Sequence, residues 1–313
     1  MRPAREITNL RGLAGKVAIV KTKTLGRVMV VSRRVALLGV AAFGLSGCGR
    51  RASVAASPRV PDDLQPVRNA NYDAWVRGFR ARAANQGISQ STLDAGFRGA
   101  GYLPGVVKRD RNQTEFNRTL EDYLAIAASD ERVTKGRAAL ARHRGTLNAI
   151  EAKYGVPAQI VAAIWGLESF FGERRGDVSV VAATSTLAFD GRRGQFYEGQ
   201  LIAALRILAQ DLKGSWAGAM GNTQFIPTSY QAFAVDFTGD GRRDIWSDDP
   251  SDALASTVAY LAKNGWKPGL RWGGEVGNGA PDGTIIQPQV GGPCFAVTAN
   301  FRAIKRYNNS DAY

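Results

Sequence analysis

The clearest pattern of apolar and polar positions lies between residues 154 and 172. Apolar side chains recur there at three- and four-residue spacing, at Val156, Ile160, Ile164, Leu167 and Phe171. This spacing predicts an amphipathic helix over 157–171, because these intervals bring side chains to one helix face. Pro157 suits the first turn, where its missing N–H costs nothing, and Gly172 suits the end.

The same periodicity predicts a mainly helical chain with a small β portion. Further helices are expected over 71–86, 114–128, 133–153, 196–213 and 251–263. Residues 266–301 are rich in Gly and Pro, with short β-type runs at 284–286 and 294–297 that predict a few strands. The chain from residue 70 onward is long enough to bury one large core, with two lobes around a cleft.

The N-terminus predicts an export signal. Arg33 and Arg34 precede a short apolar run, 35–44, and small residues then lead to Cys48. The run is too short for a typical membrane-spanning helix. Leu-Ser-Gly-Cys at 45–48 resembles the bacterial lipobox, whose cysteine is acylated and becomes the first residue of the mature chain.

The signal leaves two alternatives open and sets the domain boundaries. Met29 is a second candidate start, and Arg33-Arg34 with the preceding serine also resembles a twin-arginine signal. Residues 49–68 are rich in Arg, Ser, Ala and Pro without periodicity, which is typical of a tether. We expect a signal peptide over 1–47, lipidated Cys48 with a flexible tether over 48–69, and a folded module over 70–313.

The net charge and the small numbers of cysteine and histidine residues limit the binding partners and the types of catalytic site that this chain can have. The formal charge is +14, of which residues 1–47 contribute +8, so the remainder carries +6. A modest basic surplus favours anionic polymers such as cell wall or lipid headgroups, and export argues against nucleic acid. With Cys48 acylated, Cys294 has no partner for an intrachain disulfide. The single histidine, His143, argues against a Ser-His-Asp triad or a multi-histidine metal site.

Glu168 is the candidate general acid. On the predicted helix it shares a face with Val161, Ile164 and Trp165. A carboxyl group among aromatic and aliphatic side chains is costly to ionise, so its pKa should rise, as the acid of a glycosidase requires. The alternative is a carboxylate at the rim of a core helix, paired with an arginine.

Two glycine-rich segments are candidate binding elements. Residues 214–230 combine glycines, aromatics, a methionine and polar donors, which suits close approach to sugar rings or, alternatively, a tight turn before a helix. Residues 236–244 match the first half of an EF-hand loop, with oxygen ligands at positions one, three and five and Gly at six. Ser247 replaces the usual glutamate at position twelve, so the loop is either a structural Ca²⁺ site or a plain Asx turn.

Taken together, these motifs resemble the membrane-bound lytic murein transglycosylase B family over about residues 70–313. The resemblance is carried by Tyr-Gly-Val-Pro at 154–157, Trp-Gly-Leu-Glu-Ser at 165–169, Phe-Asp-Gly-Arg-Arg at 189–193 and Gln-Phe-Ile-Pro at 224–227. It implies an α+β, mainly α fold: a lysozyme-like catalytic core with a helical N-terminal lobe, a small β portion and an EF-hand-like loop.

The resemblance also implies roles for individual residues. Glu168 would be the catalytic acid/base in cleaving the β-1,4 bond between N-acetylmuramic acid and N-acetylglucosamine, forming 1,6-anhydromuramyl ends without a cofactor. Substrate contacts would fall on Arg192, Arg193, Ser215, Met220, Gln224, Tyr260, Tyr307, Asn308 and Tyr123. Structural Ca²⁺ ligands over 236–252 would be Asp236, Thr238, Asp240, the Arg242 carbonyl and Asp252, although two extra residues precede the last.

Location and partners follow from the same resemblance. We expect a periplasmic lipoprotein anchored to the outer membrane of a Gram-negative bacterium, acting on peptidoglycan glycan strands, with cell-wall synthesis or division proteins as candidate partners. Two other functions stay open. A hydrolytic muramidase would need a second carboxylate, for which Glu173, Asp177 and Asp190 are candidates, and a wall-binding lipoprotein without enzymatic activity would dispense with Glu168.

Overall fold

The computed structural model describes residues 60–112, 120–207, 212–287 and 292–308. Within these ranges the chain forms a short 3₁₀ turn at Asp62–Leu64 and a series of α-helices. The helices are α1 (Ala70–Asn85), α2 (Gln90–Gly96), α3 (Pro104–Arg111), α4 (Leu120–Ala127), α5 (Asp130–Arg142), α6 (Arg144–Tyr154), α7 (Ala158–Ser169), α8 (Val180–Asp190), α9 (Gly194–Ile207), α10 (Pro227–Phe233), α11 (Ser251–Lys263) and α12 (Ala299–Asn308). The predicted α+β, mainly α class is confirmed.

Two small antiparallel sheets make up the β portion of the described residues. β1 (Val178–Ser179) pairs with β2 (Lys213–Gly214), which ties the start of α8 to the segment after α9. β3 (Gly273–Glu275), β4 (Thr284–Ile286) and β5 (Phe295–Val297) form a second sheet with β5 in the centre. The second sheet lies within the Gly- and Pro-rich region where strands were predicted.

Helix boundaries agree with the prediction at α11 and differ elsewhere. The stretch predicted as one helix over 133–153 divides at His143, whose backbone ends α5 and begins α6. The helix predicted over 157–171 ends at Ser169. The helix predicted over 196–213 is described as α9 up to Ile207; residues 208–211 lie outside the described residues, and Lys213 belongs to β2. In the described ranges, no helix combines the length and apolar character needed to span a membrane.

The core places α8 at the centre of the molecule. Every residue from Val180 to Ala188 is buried, and α8 packs on α1, α3 and α9. A second core region joins α6, α7, α11 and α12 through buried side chains such as Leu147, Val161 and Val258. The C-terminal half of α7 belongs to this second core region and also contacts the segment after β2, through the hydrogen bonds of Trp165 and Ser169 to Asn222.

Candidate active site

The end of α7 is shaped by an unusual turn. Phe170 and Phe171 both have positive φ, 54° and 59°, and Gly172 follows with φ of 88°. Left-handed backbone at two bulky residues is uncommon and costs free energy, so the surroundings must hold it in place. The Ser169 hydroxyl accepts a hydrogen bond from the Gly172 N–H at 2.9 Å. The turn ends the helix directly after Ser169, and it fixes the direction in which Glu168 leaves the helix.

Glu168 faces a cleft of about 400 Å³. Desolvation raises the pKa of its carboxyl group to about 7. Among the described residues, no side chain or backbone group forms a hydrogen bond or ion pair with this carboxyl group. The alternative of an arginine-paired carboxylate is therefore not what the structure shows. A half-buried acid without a compensating partner can hold its proton near neutral pH and donate it.

The walls of the cleft come from three parts of the chain. The turn before α9 and α9 itself contribute a cation, two aromatic rings and an amide. The segment from β2 to α10 contributes small, polar and apolar side chains, and α11 and α12 contribute two tyrosines and an arginine. The lining residues besides Glu168 are Arg193, Phe196, Tyr197, Gln200, Ala217, Ala219, Gln224, Phe225, Ile226, Ser229, Tyr260, Arg306 and Tyr307. Of these described lining residues, only Glu168 carries a carboxylate.

Tyr260 and Tyr307 lie where the sequence predicted, on the wall of the cleft. The Tyr307 hydroxyl donates to the Thr223 carbonyl at 2.8 Å, and the Tyr260 hydroxyl donates to the Arg306 carbonyl at 2.8 Å. Their rings meet edge to face at 5.0 Å. Burial, together with the charge of Glu168, raises the pKa of Tyr307, so this ring stays neutral beside the acid. The two rings form a fixed apolar wall.

Gln224 also lies in the cleft, held by an unusual backbone. Its φ is 53°, and its side-chain N–H groups donate to the carbonyls of Gly221 at 2.9 Å and Arg175 at 3.0 Å. The side-chain oxygen is left to face a ligand, since no described residue donates to it. Gln224 therefore presents an acceptor to the cleft, as expected for a sugar contact.

Three other residues predicted to contact substrate, Ser215, Tyr123 and Asn308, are not among the residues that line the cleft. Ser215 is half-buried and accepts a hydrogen bond from the Ala219 N–H at 3.1 Å. Tyr123 lies on α4 and is not among the residues that line the cleft. Asn308 is the last residue of α12, and its side chain lies outside the described part of the chain.

Met220 requires a correction. Its side chain is fully buried beneath the cleft, in a cluster with Val180, Phe225 and Ile245. The backbone of Met220 pairs with Phe225, which closes the glycine-rich turn. Met220 therefore supports the wall from behind, and direct contact with a substrate was a wrong expectation.

Arg192 and Arg193 converge on one buried carboxylate, that of Asp110 on α3. Arg192 Nε lies 3.0 Å from one Asp110 oxygen, and Arg193 pairs with the other. Arg193 also donates to the Tyr197 hydroxyl at 3.0 Å. Arg193 lines the cleft of Glu168, whereas Arg192 is not among the lining residues.

The EF-hand-like loop brings three carboxylates together. Oxygens of Asp236, Asp240 and Asp252 lie within 4.8 Å of one another. Asp252 reaches the loop from α11 despite the longer spacing, and it accepts hydrogen bonds from the backbone N–H groups of Phe237, Thr238 and Asp244. Three close carboxylates repel one another unless a cation lies between them. This donor set fits a hard cation such as Ca²⁺.

The amino-acid sequence matches a known protein family over the region that forms this site. The family described as "Transglycosylase SLT domain" matches residues 71–284, more than half of the chain. The chain belongs to this family. The predicted family is confirmed, and the match covers both the acid on α7 and the EF-hand-like loop.

Relatives of the SLT family share the fold. SltB3 from Pseudomonas aeruginosa, solved in complex with NAG-anhNAM-pentapeptide, is 40% identical with a TM-score of 0.72, covering 78% of this chain and 77% of that one. Slt35 from Escherichia coli, a lytic transglycosylase solved in complex with calcium, is 27% identical with a TM-score of 0.65, covering 80% and 92%. The predicted lysozyme-like transglycosylase fold is confirmed.

A curated relative matches a shorter region. The membrane-bound lytic murein transglycosylase B of Escherichia coli K12 is 40% identical over 136 residues, which is 41% of this chain. The matched region spans 37% of that relative's length.

Sequence reasoning missed several residues of this SLT-family cleft. Phe196, Tyr197 and Gln200 were part of a predicted helix, and their three- and four-residue spacing indicated a shared face, but nothing local showed that this face borders a cleft. Asp110 lies in the charged run Lys-Arg-Asp-Arg, which reads as a solvated surface. Only the fold shows that it is buried.

Proposed function

We propose that this protein is a lytic transglycosylase that cleaves the β-1,4 bond between N-acetylmuramic acid and N-acetylglucosamine in peptidoglycan. The observation that carries the proposal is Glu168: a desolvated carboxyl group with a pKa of about 7, and the only carboxylate among the described residues of the cleft. Family membership supports the reaction class, and SltB3 was solved with an anhydro-sugar peptide.

In the proposed reaction, Glu168 acts twice. The protonated carboxyl group first donates its proton to the glycosidic oxygen as the bond to muramyl C1 breaks. The resulting carboxylate then accepts the proton of the muramyl C6 hydroxyl, whose oxygen bonds to C1. The products are a free N-acetylglucosamine end and a 1,6-anhydromuramyl end, and Glu168 recovers its proton without consuming water.

An internal nucleophile explains why one carboxylate suffices. Hydrolytic glycosidases ordinarily use two carboxylates that flank the bond. The three candidates for a second one lie elsewhere: Glu173 pairs with Lys135 at 2.7 Å, Asp190 pairs with Arg111 at 2.6 Å, and Asp177 is exposed. None of them lines the cleft, which favours transglycosylation over a hydrolytic muramidase. A wall-binding protein without activity would gain nothing from a desolvated carboxyl group that lacks a partner among the described residues.

The remaining contacts would bind the glycan. We infer that Tyr260 and Tyr307 offer apolar faces to sugar rings and that Gln224 and Ser215 offer hydrogen bonds to sugar hydroxyls and amides. Arg192 and Arg193 would pair with carboxylates of the lactyl group or stem peptide. Tyr123 and Asn308 remain candidates on the strength of the family resemblance.

We also infer that the loop at 236–252 binds a structural Ca²⁺ through Asp236, Thr238, Asp240, the Arg242 carbonyl and Asp252. The convergence of three carboxylates supports this, as does the calcium complex of the relative Slt35. The chemistry itself requires no cofactor.

The anchor and domain boundaries complete the proposal. A signal peptide over 1–47, acylation of Cys48 and a tether over 48–69 would place the module over 70–313 in the periplasm beside the wall, attached to the outer membrane. Residues 1–59 lie before the described part of the chain, and the lipobox resemblance supports the assignment there. Residues 60–69, the predicted end of the tether, instead pack on the folded module, since Leu64 is buried and Val67 pairs with Tyr102. Proteins of cell-wall synthesis or division are candidate partners.

Mass spectrometry of digested sacculi tests the reaction. Anhydromuramyl ends are expected; reducing ends would favour a muramidase, and no products would favour a binding protein. Glu168→Gln should lower turnover by orders of magnitude while the protein still binds glycan, because both proton transfers use one group. Glu173→Gln, which changes an exposed glutamate five residues away, is the matched control and should keep wild-type turnover.

A further inference from the structure

The carboxylate of Asp110 is buried away from water, although it lies on a helix rich in charge. Its side chain is 2% exposed, whereas those of Arg192 and Arg193 are 49% and 42% exposed. Burying a carboxylate costs several kcal/mol unless charged partners compensate. Here each of its two oxygens has a guanidinium partner, so the group is satisfied on both sides.

The arrangement leaves a defined net charge and a defined set of free donors. Two guanidinium groups share one carboxylate, so the cluster carries one net positive charge. Among the described residues, the two terminal nitrogens of Arg192 have no partner. On Arg193, the nitrogen that binds Asp110 also serves Tyr197. Asp110 binds one nitrogen of each arginine, and these two contacts set the orientation of the remaining N–H groups, which point outward.

We propose that Asp110 is a positioning residue that fixes the two arginines, so that the cleft selects glycan strands carrying a peptide carboxylate. This rests on the proposed function, because the selection concerns the same substrate. With Asp110 in place, the pair offers one uncompensated charge and pre-oriented donors, which matches a single carboxylate. Without it, two adjacent guanidinium groups would repel each other and move apart into solvent.

A neighbouring ion pair provides the matched control. Arg111, the next residue of α3, pairs with Asp190 at 2.6 Å, just before the turn that carries the two arginines. This pair joins α3 to the end of α8, directly before that turn, without an ion pair to Arg192 or Arg193. Asp190→Asn therefore removes a tie of the same kind and leaves the arginine cluster intact.

The experiment compares peptide-bearing glycan strands with strands stripped of their stem peptides by an amidase, whose freed lactyl carboxyl groups are then converted to amides so that they carry no carboxylate. For Asp110→Asn, the ratio of KM on peptide-bearing strands to KM on stripped strands should rise about tenfold, the loss expected for one charge-assisted hydrogen bond. The ratio for Asp190→Asn should equal that of the wild type. An unchanged ratio in Asp110→Asn, or an equal rise in Asp190→Asn, would overturn the proposal.

Two further measurements apply if the Asp110 variant does not fold or if the wild type is inactive. If Asp110→Asn does not fold, as judged by circular dichroism, Arg192→Lys removes the Nε that meets Asp110 and should raise the same ratio. If the wild type proves inactive on both strands, the proposed reaction fails on its own. Calorimetric binding of NAG-NAM-pentapeptide, compared with NAG-NAM whose lactyl carboxyl group is an amide, then tests the selection directly, and equal loss of affinity for both ligands in Asp110→Asn would refute it.

Discussion

The indole N–H of Trp165 donates a hydrogen bond to the side-chain oxygen of Asn222 over 3.3 Å. The same asparagine side chain donates to the carbonyls of Ile245, at 3.2 Å, and Ser247, at 2.9 Å. Its backbone carbonyl accepts from the hydroxyl of Ser169, next to Glu168. Asn222 thus joins the helix of the acid to the second half of the EF-hand-like loop.

Replacing Asn222 should destabilise the protein markedly. Asn222→Ala would leave the buried Trp165 N–H without a partner and would remove one hydrogen bond from each of the Ile245 and Ser247 carbonyls, which keep their other donors. We expect this to cost about 1–3 kcal/mol. Urea unfolding measures this loss. Asn278→Ala removes an exposed amide that binds only Glu275, and it should change the unfolding free energy by less than about 0.5 kcal/mol. Similar losses in both variants would mean that Asn222 does not act as described.

The pKa of Glu168 predicts a pH-dependent stability difference. A carboxyl group with a pKa near 4.5 in the unfolded chain and about 7 in the folded protein binds its proton more tightly when folded. Its stabilising contribution is complete below pH 4.5 and is lost as the pH rises through 7. Glu168→Gln should therefore gain stability relative to the wild type between pH 4.5 and 7, by on the order of 3 kcal/mol.

Chemical denaturation at a series of pH values measures this difference. The same titration predicts that kcat/KM of the wild type falls above pH 7, since the acid must be protonated in the free enzyme. Glu173→Gln should follow the wild-type stability curve. A difference between wild type and Glu168→Gln that is constant from pH 4 to 8 would contradict the raised pKa.

Calcium should stabilise the protein through the loop at 236–252. Ligand binding to the folded state alone raises the melting temperature with occupancy, and a cation would relieve the repulsion among three carboxylates. Millimolar Ca²⁺ should raise Tm, Mg²⁺ should do less because it demands a tighter octahedral shell, and Asp240→Ala should abolish the rise. Asp282→Ala, an exposed carboxylate in the β portion, should retain it. No shift with Ca²⁺ would favour the Asx turn.

Replacing Cys48, the proposed site of acylation, should release the protein from membranes. Stable anchoring needs more than one acyl chain, which the lipobox cysteine would supply. Cys48→Ala should therefore move the protein out of the membrane fraction after a salt wash, as followed by immunoblotting. Cys294→Ala, which changes the other cysteine, should remain membrane-bound. Retention of Cys48→Ala on membranes would refute the lipobox interpretation.

The sequence predicted those elements whose signal is local. α7 has a periodic stripe of apolar residues, and α11 has residues typical of helix ends on both sides. Both helices lie close to their predicted positions. The predicted end of α7 was wrong because its apolar spacing continues through Phe171, while the backbone there has already turned left-handed. Spacing reports which side chains are buried and does not report the backbone conformation that buries them.

Other features depend on contacts between distant parts of the chain. α8 was not predicted as a helix, since a helix buried on all sides lacks the polar face that makes periodicity visible. Asp110 meets Arg193 across 83 residues, and Asp252 reaches the loop from a separate helix. Met220 was assigned to the cleft from its neighbours in sequence, yet packing turns it inward.

The burial of α8 also has a consequence for motion. A helix enclosed on every side cannot open its backbone N–H groups to solvent by local fraying, because each opening requires its neighbours α1, α3 and α9 to separate. The amide hydrogens from Thr184 to Ala188 should therefore be among the last to exchange with deuterium. Their exchange rate would therefore report the global unfolding of the enzyme.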